Sequence, residues 1–357
     1  MIRNTKKCTE KLGIRFPIIQ APMAGGATTP ELVAAVSNAG GLGSLGAGYM
    51  APNDIRRTIR KIRELTNAPF SVNLFIPQEH EASQEQIEKA CDNIQQCSKE
   101  LGQKIKPVLA PYAQSFEEQI QVVFEEMVPV FSFTFGILDA IWIERLKSNN
   151  TLLIGMATTL AEAQLLEKSD VDMIVAQGSE AGGHRGTFLG RAEDALIGLF
   201  SLIPQCVDHI KIPVIAAGGI MDGRGIAAAI TLGAAGVQMG TAFLSCHESG
   251  INEKYKKILL TQRQDNTTLT RAFSGKLARG IRNKFIECMQ TKQSNILDYP
   301  IQNALTKSMR QKAKETDSTE FMSMWAGQSA WLCRNMCVMD LMSKLIAEVE
   351  EAYHGNY

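Results

Sequence analysis

Short apolar runs recur along the chain, and segments with helical periodicity separate them. Few charged residues interrupt the runs, a composition typical of strands buried on both faces of a parallel sheet. Amphipathic segments such as 54–65 and 160–169 alternate with the runs. The alternation predicts a (β/α)8 TIM barrel, with a doubly wound open sheet as the alternative. The eight runs are 17–22, 41–46, 70–76, 128–135, 152–158, 172–177, 213–218 and 236–240.

Two stretches depart from this alternation. About fifty residues rich in Gln and Glu separate the third and fourth runs, and they predict helices outside the barrel. The irregular segment 249–324 follows the eighth run and contains the strand-like TTLTRAF at 267–273. We therefore expect a barrel over 1–248, a mainly helical capping subdomain over 249–324, and a C-terminal helix over 325–357 that closes the barrel.

The composition argues against several classes of protein. The chain has 357 residues, 45% of them apolar, with 37 basic and 37 acidic side chains and no net charge. It lacks the positive excess that nucleic-acid binding uses. No apolar run approaches the length of a membrane span, which is ~20 residues. The N-terminal stretch lacks the apolar segment that a secretory signal contains. We expect a cytoplasmic protein that binds neither nucleic acid nor membrane. The sequence leaves the oligomeric state open, and a homo-oligomer is one candidate.

Eight cysteines accompany this composition. Without an export signal they are expected to be reduced thiols of a cytosolic protein. Cys333 and Cys337 could share a helix face, but no His or further Cys with metal-ligand spacing lies nearby in the sequence. The sequence therefore predicts neither disulfides nor a metal site.

Glycine and polar residues gather at the carboxyl ends of the predicted strands, where barrels of this type bind their ligands. The seventh run ends in Gly218 and Gly219, and the eighth is followed by Gly240 and Thr241. The loops after strands seven and eight commonly hold a phosphate, because glycine lets backbone amides approach closely and a threonine hydroxyl can donate. The pattern favours a phosphate site over plain tight turns.

The sixth run leads into QGSEAGGH at 177–184. Three glycines permit close approach of a ligand, and a histidine beside them can move a proton near neutral pH. His184 is therefore a candidate catalytic residue. A second glycine motif, GLGSLG at 41–46, fits GxGxxG, but a helix-like segment precedes it and the motif itself is strand-like. This is the wrong context for a dinucleotide fingerprint.

Seven motifs together resemble the nitronate monooxygenase family, formerly called 2-nitropropane dioxygenases. The resemblance spans nearly the whole chain and implies an FMN-dependent flavoprotein barrel. It also implies oxidation of alkyl nitronates by O2 to carbonyl compounds and nitrite, with neutral nitroalkanes as candidate further substrates and detoxification as the role. The motifs are QAPMAGG (20–26), SVN (71–73), QGSEAGGHRG (177–186), IPVIAAGGIMDGRG (212–225), GVQMGTAFL (236–244), FSGKLARGI (273–281) and MWAGQS (324–329).

The resemblance also implies roles for single residues. His184 falls at the catalytic position, either protonated to stabilise a nitronate or neutral to remove a proton from a nitroalkane. Tyr299 is expected to line the substrate pocket. Backbone and hydroxyl groups at the last two strand ends would hold the FMN phosphate, and amide side chains would contact the polar edge of the flavin. The expected FMN contacts are Met23, Asn73, Gln177, Gly182, Gly218, Gly219, Gln238, Met239, Gly240, Thr241 and Gln328.

Three alternatives stay open. A flavin-dependent enoyl-acyl carrier protein reductase shares the fold and FMN but needs NAD(P)H; the SGKLARGI and WAGQS segments and the long insertion favour the monooxygenase. A barrel isomerase or lyase acting on a phosphosugar would hold no flavin and would want a lysine or carboxylate pair at the strand ends. A non-catalytic flavin-binding protein would bind FMN without turnover.

Overall fold

The computed structural model describes residues 3–78 and 80–355. Within them, eight parallel strands form a barrel in the order β1-β9-β8-β6-β5-β4-β3-β2. A parallel bridge between Ile19 and Leu42 closes the barrel between β1 and β2. A separate sheet has the order β10-β11-β7. The strands are β1 Ile18–Gln20, β2 Gly43–Gly46, β3 Phe70–Phe75, β4 Val130–Thr134, β5 Leu152–Ala157, β6 Met173–Gln177, β7 Gly183–His184, β8 Val214–Ala217, β9 Gly236–Met239, β10 Thr267–Thr270 and β11 Ala278–Ile281.

Helices follow most barrel strands and cover the outside of the barrel, as the alternating pattern predicts. Further helices lie in the two stretches that depart from the pattern. The helices are α1 Arg3–Leu12, α2 Pro30–Asn38, α3 Pro52–Leu65, α4 Gln84–Cys97, α5 Phe116–Glu125, α6 Ala140–Ser148, α7 Leu160–Lys168, α8 Leu199–His209, α9 Gly223–Thr231, α10 Thr241–Leu244, α11 Glu253–Thr261, α12 Lys284–Gln290, α13 Ile301–Leu305, α14 Lys307–Glu315 and α15 Val338–His354.

The apolar pattern of the sequence accounts for the packing of the barrel. Ile55, Ile59 and Ile62 repeat at helical spacing along α3, and all three are fully buried. The GLGSLG stretch contributes strand β2, as its composition predicts. Gly43 is required there by packing, because a Cβ at this position would lie 2.0 Å from the carbonyl oxygen of Val33. The stretch is thus a structural strand and not a nucleotide-binding turn.

A second hydrophobic cluster lies outside the barrel core. It combines residues of 87–105 with residues of 244–330, so the long insertion after β3 packs with the segment after β9. Cys97 on α4 and Cys288 on α12 form a disulfide across this cluster, which contradicts the prediction that all cysteines are reduced. The two cysteines are 191 residues apart, and only the packing of α4 against α12 brings them together. The remaining cysteines are free thiols.

The C-terminal part of the chain closes the barrel with a shorter helix than expected. Helix α15 begins at Val338 and packs against α9 and α2. Residues 325–337 hold a short 3-10 turn, because this part runs across the rim of the barrel. Glu348 joins α15 to α9 by accepting a hydrogen bond from Gly223 N at 3.0 Å. Among the described residues, no helix is long and apolar enough to cross a membrane.

Candidate active site

A cavity of about 450 Å³ opens at the carboxyl ends of the barrel strands and extends under the second hydrophobic cluster. Almost all of the predicted cofactor contacts line it. Gln328 and Tyr299 do not; Gly327 and Ser329, on either side of Gln328, do. The predicted residues that the structure brings together on this cavity are Met23, Asn73, Gln177, Gly182, His184, Gly218, Gly219, Gln238, Met239, Gly240 and Thr241.

The two predicted residues that do not line the cavity lie close behind its wall. The Gln328 side chain points away, and its Nε2 is 3.4 Å from Asp265 Oδ2 at the surface. Its backbone N–H donates to the carbonyl oxygen of Glu180. Tyr299 is buried behind two aromatic residues of the wall, with its ring centroid 6.5 Å from that of Phe75 and 5.8 Å from that of Phe135. Gln328 can therefore contribute main-chain groups, while Tyr299 supports the aromatic wall.

The glycines at the ends of β8 and β9 shape one side of the cavity. Gly218 and Gly219 have φ angles of 125° and 69°, a region that side chains rarely adopt. At Gly240, by contrast, an added Cβ would have no neighbour nearer than 3.5 Å. The Thr241 hydroxyl accepts a hydrogen bond from Gly327 N at 3.0 Å, so its own hydrogen is free to be donated. The loops after β8 and β9 can therefore donate hydrogen bonds to an anion from backbone N–H groups and from the Thr241 hydroxyl.

The loop that carries His184 is held by Gln177. The amide nitrogen Nε2 of Gln177 donates to the carbonyl oxygen of His184 at 3.0 Å, and its Oε1 accepts from Gly186 N at 2.9 Å. Residues 183–184 also form strand β7, which pairs with β11. Gln177 therefore positions the loop, and in the described residues a single N–H of its amide remains for a ligand.

The fully buried Arg185 holds the loop that carries His184 by hydrogen bonds to backbone carbonyl groups. Arg185 donates to the carbonyl oxygens of Gly178, Gln177 and Ala195, at 2.6, 3.0 and 3.3 Å. Burial lowers the pKa of Arg185 to about 10, so it stays charged at neutral pH. Buried carbonyl groups need such partners, and Arg185 satisfies three at the point where the loop leaves β6.

The His184 side chain contacts one residue at the end of β4 and two residues from the region after β9. Its Nε2 lies 2.8 Å from Ser274 Oγ. Its ring packs against Phe135 at 6.0 Å and Trp325 at 5.3 Å between centroids. Burial, and then the positive charges of Lys276 and Arg310, lower the pKa of His184 to about 3. The imidazole is therefore neutral at physiological pH, and it accepts a proton readily only where a negative charge forms beside it.

Two amide side chains complete the polar wall of the cavity. Asn73 Nδ2 donates to Ser132 Oγ at 2.9 Å, which fixes the orientation of the amide. Its Oδ1 and the amide of the buried Gln238 have no hydrogen-bond partner in the part of the chain that the structure describes. Because both residues line the cavity, these groups are available to the polar edge of a bound ring.

A basic helix that the sequence motifs did not single out forms part of the cavity wall. Lys307, Arg310 and Lys314 of α14 all line the cavity. Arg310 Nη2 donates to the backbone and side-chain oxygens of Asn303, both at 2.8 Å, and burial lowers its pKa. No carboxylate lies within 4.0 Å of the Arg310 guanidinium among residues 3–78 and 80–355. The i, i+3, i+7 spacing of these basic residues is a signal that could have identified this face.

No candidate metal centre accompanies this site. Within the described residues, His, Cys, Asp and Glu form no group of three or more that could hold a metal ion. The titratable groups around His184 are instead lysine, arginine and tyrosine, which are poor ligands for the common protein metals.

Comparison with known proteins identifies the family. A family model described as nitronate monooxygenase matches residues 5–348. A probable nitronate monooxygenase from Staphylococcus haemolyticus (strain JCSC1435) is 48% identical over 344 residues, 96% of each chain. The chain belongs to the nitronate monooxygenase family. A probable nitronate monooxygenase from Staphylococcus aureus (strain JH9) is 46% identical over 349 residues, 98% of each chain. The chain is thus an enzyme of this family, and the resemblance found in its motifs is confirmed.

Solved structures agree with this assignment. A nitroalkane oxidase from Streptomyces ansochromogenes superposes with a TM-score of 0.90 at 37% identity, covering 98% of this chain and 99% of that chain. FabK from Thermotoga maritima gives a TM-score of 0.77 at 31% identity, covering 99% and 98%. The strand order and these neighbours confirm the predicted (β/α)8 barrel.

Proposed function

We propose that this enzyme binds FMN in the strand-end cavity and oxidises alkyl nitronates with O2, giving carbonyl compounds and nitrite. The observation that carries the proposal is the cavity at the strand ends, where glycine loops, amide side chains and His184 meet. The family membership and the similarity to a nitroalkane oxidase support the substrate class.

The residues around the cavity fit FMN. Gly219, Gly240 and Thr241 would hold the phosphate, because their loops present backbone amides and a hydroxyl hydrogen. Asn73 Oδ1 and the Gln238 amide, which have no other partner among the described residues, would face the polar edge of the flavin ring. When bound, FMN would supply the redox chemistry, since a flavin accepts electrons from an organic substrate and passes them to oxygen.

His184 gives the protein its own chemical contribution. Its neutral imidazole can accept the α-proton of a nitroalkane, so neutral nitroalkanes join nitronates among the proposed substrates. The positive charges of Lys276 and Arg310 near the imidazole favour the nitronate anion that forms when the proton leaves. Phe135 and Trp325 shield the imidazole from water and keep it in one orientation.

An anaerobic spectrum of the purified protein tests the proposal. A flavin spectrum that ethylnitronate changes, while NADPH in a parallel cuvette does not, is the expected result. Rapid bleaching by NADPH with no response to ethylnitronate would replace the proposal with an NAD(P)H-dependent reductase. A protein that contains no flavin and binds no added FMN would overturn the cofactor assignment.

A His184→Gln variant separates the two substrate classes. Glutamine can still hydrogen-bond to Ser274 but cannot serve as a base near neutral pH. We expect this variant to retain FMN, to lose turnover of nitroethane, and to keep part of its turnover of preformed ethylnitronate. Equal loss on both substrates would show that His184 does not act by removing the proton.

A further inference from the structure

Lys276 is connected to His184 through Ser274. Ser274 Oγ lies 2.8 Å from His184 Nε2, accepts a hydrogen bond from Lys276 N at 3.3 Å, and lies 3.2 Å from the carbonyl oxygen of Lys276. The backbone of Lys276 thus sets the position of the hydroxyl group that contacts the imidazole. The FSGKLARGI segment, in which both residues lie, therefore provides the immediate partner of the candidate base.

The Lys276 side chain also lies close to His184, because both contact Phe135. Its Nζ lies 4.4 Å from the centroid of the Phe135 ring, in a cation–π contact. Phe135 in turn packs edge-on against His184, with ring planes at 85°. The ammonium group and the imidazole therefore share one aromatic neighbour at the end of β4.

Among the residues that the structure describes, the Lys276 ammonium group has no close counter-charge. No carboxylate lies within 4.0 Å of Lys276 Nζ in the described ranges; Glu162 and Asp298 act on it only at longer range. Arg271, a further positive charge near Lys276, is paired with Glu193 at 2.9 Å. A half-buried, unpaired cation is costly, and an anion in the neighbouring cavity would offset that cost.

The pKa of Lys276 lies between that of His184 and those of the two tyrosines Tyr49 and Tyr299. Burial, and then Arg271, lower the pKa of Lys276 to about 8. The pKa of His184 is about 3 and that of Tyr49 about 12, and burial raises the pKa of Tyr299 further still. Burial lowers the pKa of Arg310, whose charged neighbours include Tyr49 and Tyr299. Among His184, Lys276, Tyr49 and Tyr299, only Lys276 changes its charge between about pH 7 and pH 10.

We propose that Lys276 is a positioning residue for the reaction centre: its ammonium group, held over Phe135, draws an anionic nitronate toward the imidazole. This inference rests on the proposed function. It predicts that the enzyme binds nitronates less well once Lys276 loses its proton, whereas binding of a neutral nitroalkane is unaffected.

The test compares Lys276→Met and Lys276→Arg with the wild type, all loaded with FMN. Lys284→Met is the matched control, because Lys284 is an exposed lysine of α12 that pairs with Glu100. KM and kcat are measured for preformed ethylnitronate and for freshly dissolved nitroethane from about pH 7 to about pH 10, from initial rates taken before either substrate converts into the other. FMN content, read from the flavin absorbance, verifies that each variant is folded.

For ethylnitronate, we expect the wild-type KM to rise roughly tenfold between about pH 7 and about pH 10, as the ammonium charge is lost. Lys276→Arg should show a flat profile, since arginine stays charged, and Lys276→Met should show the raised KM throughout. Lys284→Met should follow the wild type. KM for nitroethane should stay the same in all four proteins, which a merely structural role of Lys276 would not produce.

Two results would overturn the inference. One is a Lys276→Met enzyme with the wild-type KM and pH profile. The other, decisive even if Lys276→Met does not fold, is a Lys276→Arg enzyme that keeps the wild-type rise in KM. If the wild type itself fails to oxidise ethylnitronate, both the proposed function and this inference are wrong. If the wild type is active but the Lys276 variants do not behave as expected, this inference is rejected and the proposed function is retained.

Discussion

Acid should destabilise this protein through His184. The imidazole has a pKa of about 3 in the folded chain and about 6.5 when exposed, so the unfolded chain binds more protons between these values. The free energy of unfolding therefore falls as the pH drops from about 6.5 toward 3, and the contribution of His184 is fully present only above 6.5. At about 1.4 kcal/mol per pH unit, lowering the pH from about 7 to about 5 costs about 2 kcal/mol through this group alone.

Urea unfolding of the cofactor-free protein at the two pH values measures this effect. Other groups also titrate, so the informative quantity is the difference between the wild type and His184→Gln. We expect the variant to lose about 2 kcal/mol less than the wild type on acidification. The control is His209→Gln, because His209 is exposed on α8. If wild type and His184→Gln lose the same free energy, the imidazole is not held neutral by its surroundings.

Three further changes test the cavity and the region above it. Gly182→Ala should destabilise the fold by about 1–3 kcal/mol in urea unfolding, because its Cβ would lie 2.5 Å from Gly327 N. Gly240→Ala should leave stability within about 0.5 kcal/mol but weaken FMN binding about tenfold in a fluorescence titration, since its Cβ has room but would crowd a phosphate. Reducing the Cys97–Cys288 disulfide should cost about 2–5 kcal/mol, measured by unfolding with and without dithiothreitol.

The barrel could be predicted from the sequence because its signals are local. Each apolar run contains a barrel strand, and strand ends of a parallel barrel must meet on one side, so the sequence alone places Gly219, Gly240 and His184 together. Their roles toward FMN stay predictions. The sequence could not show that the Gln328 side chain points toward Asp265, because a motif gives the position of a residue along the chain and not the direction of its side chain.

The region over the cavity could not be predicted in the same way, since its contacts join distant segments. The disulfide links residues 191 apart. Arg310 lines the cavity only because helix α14 packs over the end of the barrel at which the cavity opens. Lys276 lies inside a motif that carries the family resemblance, and nothing in its spacing shows that its side chain reaches Phe135. Sequence periodicity predicts which face of a helix is buried but not what covers it.

These distant contacts determine the chemistry of His184. The barrel supplies the strand end, the glycines and Phe135, whereas Ser274, Trp325, Lys276 and Arg310 all come from residues after β9. Strand β7 itself pairs with β11, so the backbone of His184 is part of that outer sheet. The burial and the positive charge that keep the imidazole neutral are therefore largely properties of the outer region. Substitutions there can change the strength of the base while the barrel and its glycine loops stay as they are.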